Sequence, residues 1–256
     1  MNLGLENRRA LVTGASRGLG RAIALALAAE GAAVTAVARN AERLSQLSAA
    51  VSGPGSLTTR VCDLSDPAAI QALTGVLENL DVLVLNTGGP PPGAAADISD
   101  TAWSAQFEAM FLSVVRLTRL ALPGMRKRGF GRIIAVVSSG VIQPIPNLAI
   151  SNAIRLALVG WAKTLASEVA DQGITVNCLA PGRIATDRTV EIDQGRAKRE
   201  GIDLDEVERQ SRATIPAGRY GESEEFASMA TFLASKQASY VTGSVIRVDG
   251  GMIRSV

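Results

Sequence analysis

Three glycines within seven residues separate an apolar run, Ala10-Leu11-Val12, from an alanine- and leucine-rich segment at residues 21–30. The stretch Thr13-Gly14-Ala15-Ser16-Arg17-Gly18-Leu19-Gly20 reads as the end of a strand, a tight turn and the start of a helix. Glycine lets a backbone turn sharply and approach a ligand closely. The helix that follows offers unpaired N–H groups and a positive dipole end, which suit phosphate. This arrangement predicts a βα unit that binds a nucleotide through its first turn.

The rest of the chain repeats the same grammar. Short β-rich runs at residues 9–13, 33–38, 57–61, 82–86, 133–138, 174–179 and 245–248 alternate with helical patterns at 18–30, 41–50, 67–78, 101–122, 151–170 and 223–233. That alternation predicts an α/β fold of the Rossmann type, a doubly wound parallel seven-stranded sheet with helices on both faces. With 256 residues and no linker, repeat or low-complexity run, one domain spanning 1–256 is expected. Two segments interrupt the pattern. Gly88-Gly89-Pro90-Pro91-Pro92-Gly93 predicts a stiff loop leaving the fourth strand. Residues 183–215 are charged, with a polar helix at Leu204-Asp205-Glu206-Val207-Glu208-Arg209. They predict a lid over the carboxyl edge of the sheet, where ligands of such folds bind.

Composition removes several function classes. Histidine is absent, which excludes Ser-His-Asp triads and histidine general bases and leaves little basis for zinc chemistry. Cys62 and Cys178 stand far apart and fit no metal or redox spacing, so no metal site is expected and both thiols read as buried and inert. A net charge of +2, scattered among acids, argues against nucleic acid as a partner. Glu6, Arg8 and Arg9 lie where the apolar part of a signal peptide would be, and no uncharged apolar run reaches the ~18 residues of a membrane span. A cytoplasmic location without membrane contact is the expectation.

Five blocks stand in a familiar order: the glycine turn, Cys62-Asp63-Leu64, Asn86-Thr87-Gly88, Asn177 with Pro181-Gly182, and Val248-Asp249-Gly250-Gly251. On these the chain resembles the short-chain dehydrogenases/reductases over nearly its whole length, and among them the 3-oxoacyl-(acyl-carrier-protein) reductases. The resemblance implies a nicotinamide cofactor held by Gly14, Ser16, Arg17, Gly18, Leu19 and Gly20, by Asp63 and Leu64 at the adenine, and by Asn86 and Gly88 at a ribose. It also implies contact from the turn containing Pro181, Gly182, Ile184 and Thr186, with Thr186 at the nicotinamide carboxamide. Read from its own chemistry, Asp63 accepts from an adenine amine or caps the helix that Ser65 and Asp66 precede. NAD enzymes of this fold place an acid near the end of the second strand; here Ala38 stands there and Arg39 follows. Arg39 and Arg17 supply charge and fork geometry for a 2′-phosphate, so NADP(H) is preferred over NAD(H). The alternative is that both arginines are merely solvated.

The chemical half departs from the family. Its pattern is a serine, a tyrosine acid/base and a lysine, with an asparagine on an earlier helix. Ser138 keeps the serine, but counting forward thirteen from it, and back from Lys163, puts Ser151 at the tyrosine place and Arg155 at the lysine place. Met110 stands at the asparagine place. The only tyrosines, Tyr220 and Tyr240, read as structural. Ser138, Ser151 and Arg155 are the candidate catalytic residues, unless Ser151 and Arg155 only cap and solvate a helix. The predicted function is an NADP(H)-dependent oxidoreductase for a small-molecule carbonyl or alcohol. The alternatives are a non-catalytic NADP-binding protein and a redox-neutral enzyme on the same scaffold. The resemblance further implies a homotetramer, or a dimer, paired through the helices at residues 101–122 and 151–170.

Overall fold

Successive residues of a strand face opposite sides of a sheet, and here both sides are dry. In the first strand, β1 (Arg9–Thr13), Ala10 and Val12 join one apolar cluster and Leu11 the other. The same split divides Val82 and Val84 from Leu83 and Leu85 in β4 (Val82–Leu85). Strands buried on both faces are the mark of a parallel sheet covered by helices. The computed structural model, which describes residues 2–255, shows one: a seven-stranded parallel sheet ordered β3-β2-β1-β4-β5-β6-β7. Its remaining strands are β2 (Ala33–Ala38), β3 (Ser56–Val61), β5 (Gly131–Val136), β6 (Ile174–Pro181) and β7 (Val245–Val248).

Helices α1 (Gly18–Ala29), α2 (Ala41–Ala49) and α10 (Ser223–Ala234) cover one face. Alanine-rich sides of α1 and α10 let these two helices pack closely, with Phe226 filling the layer beneath. The short α3 (Pro67–Gln71) and α4 (Thr74–Leu77), with α6 (Ser113–Arg128) and α7 (Ala149–Val169), cover the other. At the amino edge, the guanidinium carbons of Arg8 and Arg132 lie 3.9 and 4.2 Å from the centre of the Phe130 ring. The buried Arg132 spends its donors on the carbonyls of Ser235, Gly131 and Gly173.

Several expected boundaries move for identifiable reasons. The helix expected over 67–78 is two, because Thr74 Oγ1 donates to Gln71 O at 2.6 Å and draws that carbonyl out of the helix ladder. The helix expected over 101–122 is α5 (Asp100–Phe107), a π-helical turn (Glu108–Leu112) and α6, which runs through Pro123 to Arg128. Burial of Leu117, Ala121 and Met125 outweighs the proline, and Gly129 in the left-handed conformation ends the helix. β5 begins and ends two residues before the expected 133–138. The lid holds α9 (Leu204–Ala213), where a polar helix was expected, and also α8 (Asp187–Glu200), which was not. α8 is capped by Thr186 and pinned by its buried Asp193, which binds Arg183 and accepts from Tyr220 Oη at 2.7 Å.

The sheet order reverses between β1 and β4, and the glycine turn sits at that point. Gly14 takes a positive φ of 59°, and a side chain there would meet Asn86 at the end of β4. A Cβ on Gly20 would lie 2.7 Å from Asn86 Nδ2 and overlap the Gly14 carbonyl. Backbone on one side leaves no flexible atom to give way. Gly20→Ala is therefore expected to lower the unfolding free energy by about 1–3 kcal/mol, read as a reduced midpoint in urea with an unchanged slope.

Candidate active site

The carboxyl ends of β1, β4, β5 and β6 converge on one crevice. Thr13 Oγ1 accepts from Asn86 N at 2.8 Å, and Asn86 Nδ2 donates to Gly14 O at 3.3 Å. These contacts lock the glycine turn to the end of β4. Ser16, Arg17, Gly18 and Leu19 continue the turn into α1, and Thr186 lies over it, its methyl group 3.6 Å from where a Gly18 Cβ would stand. Pro181 ends β6, and Gly182 packs against Asp249, where a Cβ would fall 2.6 Å from Asp249 Cα. Asp249 accepts from Gly251 N and Ile253 N, so the final glycines form a structural turn that supports this loop. Ile184 is buried and bridges to Gly221. Asn177 ties β6 to the segment before β7 through Val241 O and Ser244 N, a structural role.

Asp63 Oδ1 accepts from Ser65 N and Ser65 Oγ at 2.9 and 2.8 Å. These bonds hold its carboxyl below the usual carboxylate range. Asp66 caps α3 instead, accepting from Ala68 N. The other oxygen of Asp63 lies 4.0 Å from Arg39, which is well exposed beyond β2, and Leu64 beside it is half-buried. Gly88 is exposed, and a Cβ there would meet no described atom within 4 Å. The crevice thus keeps a glycine turn that side chains would force away from the end of β4, with backbone N–H groups at the start of α1, and these features fit a dinucleotide.

Ser151 and Arg155 are 8% and 6% exposed, one turn apart on α7. Neither caps that helix, whose first flanking residue is Leu148, and neither is solvated. The reading of them as a solvated cap is thereby excluded. Arg155 donates from Nη1 to Val136 O at 2.6 Å and from Nη2 to Thr87 O at 3.5 Å, joining the ends of β5 and β4. No carboxylate pairs with it among the described residues. Burial first, then the like charge of Arg188, push its pKa down to about 10, so it remains a cation at neutral pH. Beside it Thr87 Oγ1 is buried with no partner. Ser138 follows β5, half-buried, and its hydroxyl accepts from Gly140 N at 3.1 Å.

Met110 lies on the π-helical turn, 1% exposed, in an apolar cluster with Ile150 and Ile154. Tyr220 is committed to Asp193, and burial, followed by that bond, raises its phenol above the ordinary value. Tyr240 was expected to be structural, yet it is fully exposed, because the segment between α10 and β7 leaves it outside all three apolar clusters. Cys62 and Cys178 are free and buried; burial raises both thiols, that of Cys178 to about 12. Among the described residues no helix is long and apolar enough to cross a membrane. Sequence reasoning missed Arg43, whose place one turn beyond Arg39 was its only signal, and Arg188, whose Nη2 donates to Pro90 O at 2.7 Å.

Residues 14–253 match the family model described as enoyl-(acyl carrier protein) reductase. The chain is 38% identical to the 3-oxoacyl-(acyl-carrier-protein) reductase FabG of Salmonella typhimurium, covering 98% of this chain and 99% of that one. It is 35% identical to dehydrogenase/reductase SDR family member 4 of Sus scrofa, over 96% of this chain and 88% of that one. Among solved structures, L-sorbose reductase from Gluconobacter frateurii, complexed with NADPH and L-sorbose, superposes with a TM-score of 0.93 at 32% identity over the whole of both chains. An actinorhodin polyketide ketoreductase variant with NADPH gives 0.90 at 34% identity, covering 96% of this chain and 97% of that one. With this breadth of identity and a matched sheet, the chain belongs to the short-chain dehydrogenase/reductase family.

Proposed function

We propose that the protein is an NADP(H)-dependent carbonyl or alcohol oxidoreductase whose acid/base pair is replaced by Ser151 and Arg155. One observation carries the reading: a buried guanidinium with no carboxylate partner among the described residues, held by the carbonyls of Val136 and Thr87 one helical turn from Ser151, at the edge of the crevice that the glycine turn opens. A buried cation is costly unless something compensates it. A developing alkoxide is such a compensation. NADPH, when bound, supplies a hydride to the carbonyl carbon. Ser138 and Ser151 hold the substrate oxygen by their hydroxyls. Arg155 offsets the negative charge that grows there. It keeps its own proton, since arginine does not serve as a proton carrier at neutral pH. A water molecule delivers the proton, so carbonyl, hydride and proton sum to the alcohol. Arg17 and Arg39 bind the 2′-phosphate, a reading favoured by Ala38 at the place of the usual acid. NADPH in the complexes of the related reductases supports the same choice.

A nucleotide-binding protein without turnover is the second reading, favoured by the missing phenol and by the apolar environment of Met110. The exposed Phe107 on α5, stacked on Phe111 at 4.8 Å, and the exposed Leu156 on α7 support pairing of copies through these helices into a dimer or homotetramer.

Two measurements test the reading. NADPH titrated by its fluorescence is expected to bind, and turnover is expected from a panel of ketones and alcohols followed at the nicotinamide absorbance. Arg155→Met is expected to lower kcat by about 10²-fold or more, in line with loss of one charge-stabilising donor, while the melting temperature reports any packing change separately. Binding without turnover of any substrate decides for the second reading. Arg39→Asp is expected to shift the NADPH-to-NADH affinity ratio toward NADH by at least about tenfold; an unmoved ratio removes Arg39 from the phosphate site.

A further inference from the structure

The cations on the nucleotide side of the crevice do not stand free. Arg17 Nη1 lies 2.8 Å from Glu191 Oε1 and 3.6 Å from Asp187 Oδ2, both on α8. Arg43 Nη1 lies 3.7 Å from the same Asp187 oxygen. Arg188 holds Glu191 from within α8 at 3.3 Å. The network therefore joins three elements: the glycine turn, the first turn of α2 and the start of the lid. Asn40 places Arg43 by capping α2, accepting from Arg43 N at 2.8 Å, which fixes Arg43 in the first turn of that helix, four residues beyond Arg39.

Asp187 has a local reason to be acidic, since it opens α8 and complements the positive end of that helix. That accounts for the acid but not for its position between two arginines from other elements. Glu191, one turn further on, lies past the positive end of the helix; Arg188 pairs with it within α8, and its other oxygen still reaches across to Arg17. The pairs are half-exposed, so they are weak enough to exchange. A phosphate dianion with its three acceptor oxygens is the stronger partner for paired guanidinium forks.

We propose that Asp187 and Glu191 are specificity-determining residues for the nucleotide: they occupy Arg17 and Arg43 until a 2′-phosphate displaces them. Arg43 is then a phosphate ligand alongside Arg17 and Arg39. NADP(H) releases the start of α8 from the glycine turn, and NAD(H), lacking the phosphate, leaves it latched. The coupling is reciprocal, so lid carboxylates that grip the arginines weaken NADP(H) binding. This inference rests on the NADP(H) reading of the preceding subsection.

The test combines nucleotide affinity with hydrogen exchange over residues 183–200 in the full chain. In the wild type, saturating NADPH is expected to speed exchange in the first turns of α8 relative to saturating NADH. Asp187→Asn and Glu191→Gln are each expected to tighten NADPH by about three- to tenfold while leaving NADH within about twofold. Arg43→Ala is expected to weaken NADPH selectively. Glu191→Gln lies beyond the first turn of α8, so it separates loss of the latch from loss of a helix-dipole contact. Equal effects of the two nucleotides on α8, or an unmoved NADPH-to-NADH ratio in Asp187→Asn and Glu191→Gln, overturn the proposal. A wild type that binds NADPH with those outcomes loses the latch alone, whereas one that binds neither nucleotide loses the cofactor reading as well.

Discussion

The joint between β1 and β4 is the constraint on which the crevice depends. Crossovers leave this point in opposite directions, so no helix covers the gap above it. It is closed by the fully buried Thr13, whose hydroxyl accepts from Asn86 N at 2.8 Å and lies 3.2 Å from Asn86 O. Asn86 then reaches Gly14 O. Each such bond contributes only about 1 kcal/mol net. Their geometric effect is larger, because they place the glycine turn against the strand end that leads to Thr87. From Thr87 the chain of contacts passes to Arg155, and from Arg155 to Val136 at the end of β5. The nucleotide side and the chemical side are thus one connected arrangement of backbone and polar atoms.

The arginines of that arrangement live in two dielectric regimes. Arg155 is desolvated and held by carbonyls, so its charge is strong and fixed. Arg17, Arg39 and Arg43 are half-exposed or more, and they pair with carboxylates that water screens. Fixed charge suits a reacting oxygen, which needs stabilisation without reorganisation. Exchangeable charge suits a ligand that must enter and leave. Arginine also suits the buried position better than lysine would, because a desolvated ammonium gives up its proton more readily than a desolvated guanidinium.

What the sequence discloses follows from which forces act locally. β1, β2 and β7 have the bounds that their apolar runs predict, and the glycine turn lies where its residues put it. Ser151 and Arg155 share a helix face, as their spacing requires, but only the fold shows that this face is buried. α8 was illegible because it carries few apolar residues and offers no hydrophobic period. Its helix is held by Thr186, by Asp193 against Arg183 and Tyr220, and by ion pairs to the glycine turn. Arg43 was invisible for the same reason: its partner lies on an element remote in sequence. The π-helical turn leaves no local sequence signal, since it reflects how α5 and α6 meet α7.

That turn bears on where a proton enters. Met110 faces Ile150 and Ile154, with Ile98, Trp103 and Phe111 packed around them, so the side of α7 behind Ser151 is dry. Within this widened ladder Ser113 Oγ donates to Ala109 O at 2.7 Å. On the proposed chemistry, water reaches the reacting oxygen from the mouth of the crevice, on the side of Ser138 and the exposed Gly88, beneath the lid. On these proposals the lid that α8 begins bears on proton supply as well as on nucleotide selection. A chain that has lost a phenol relay places more weight on that opening than one that has kept it.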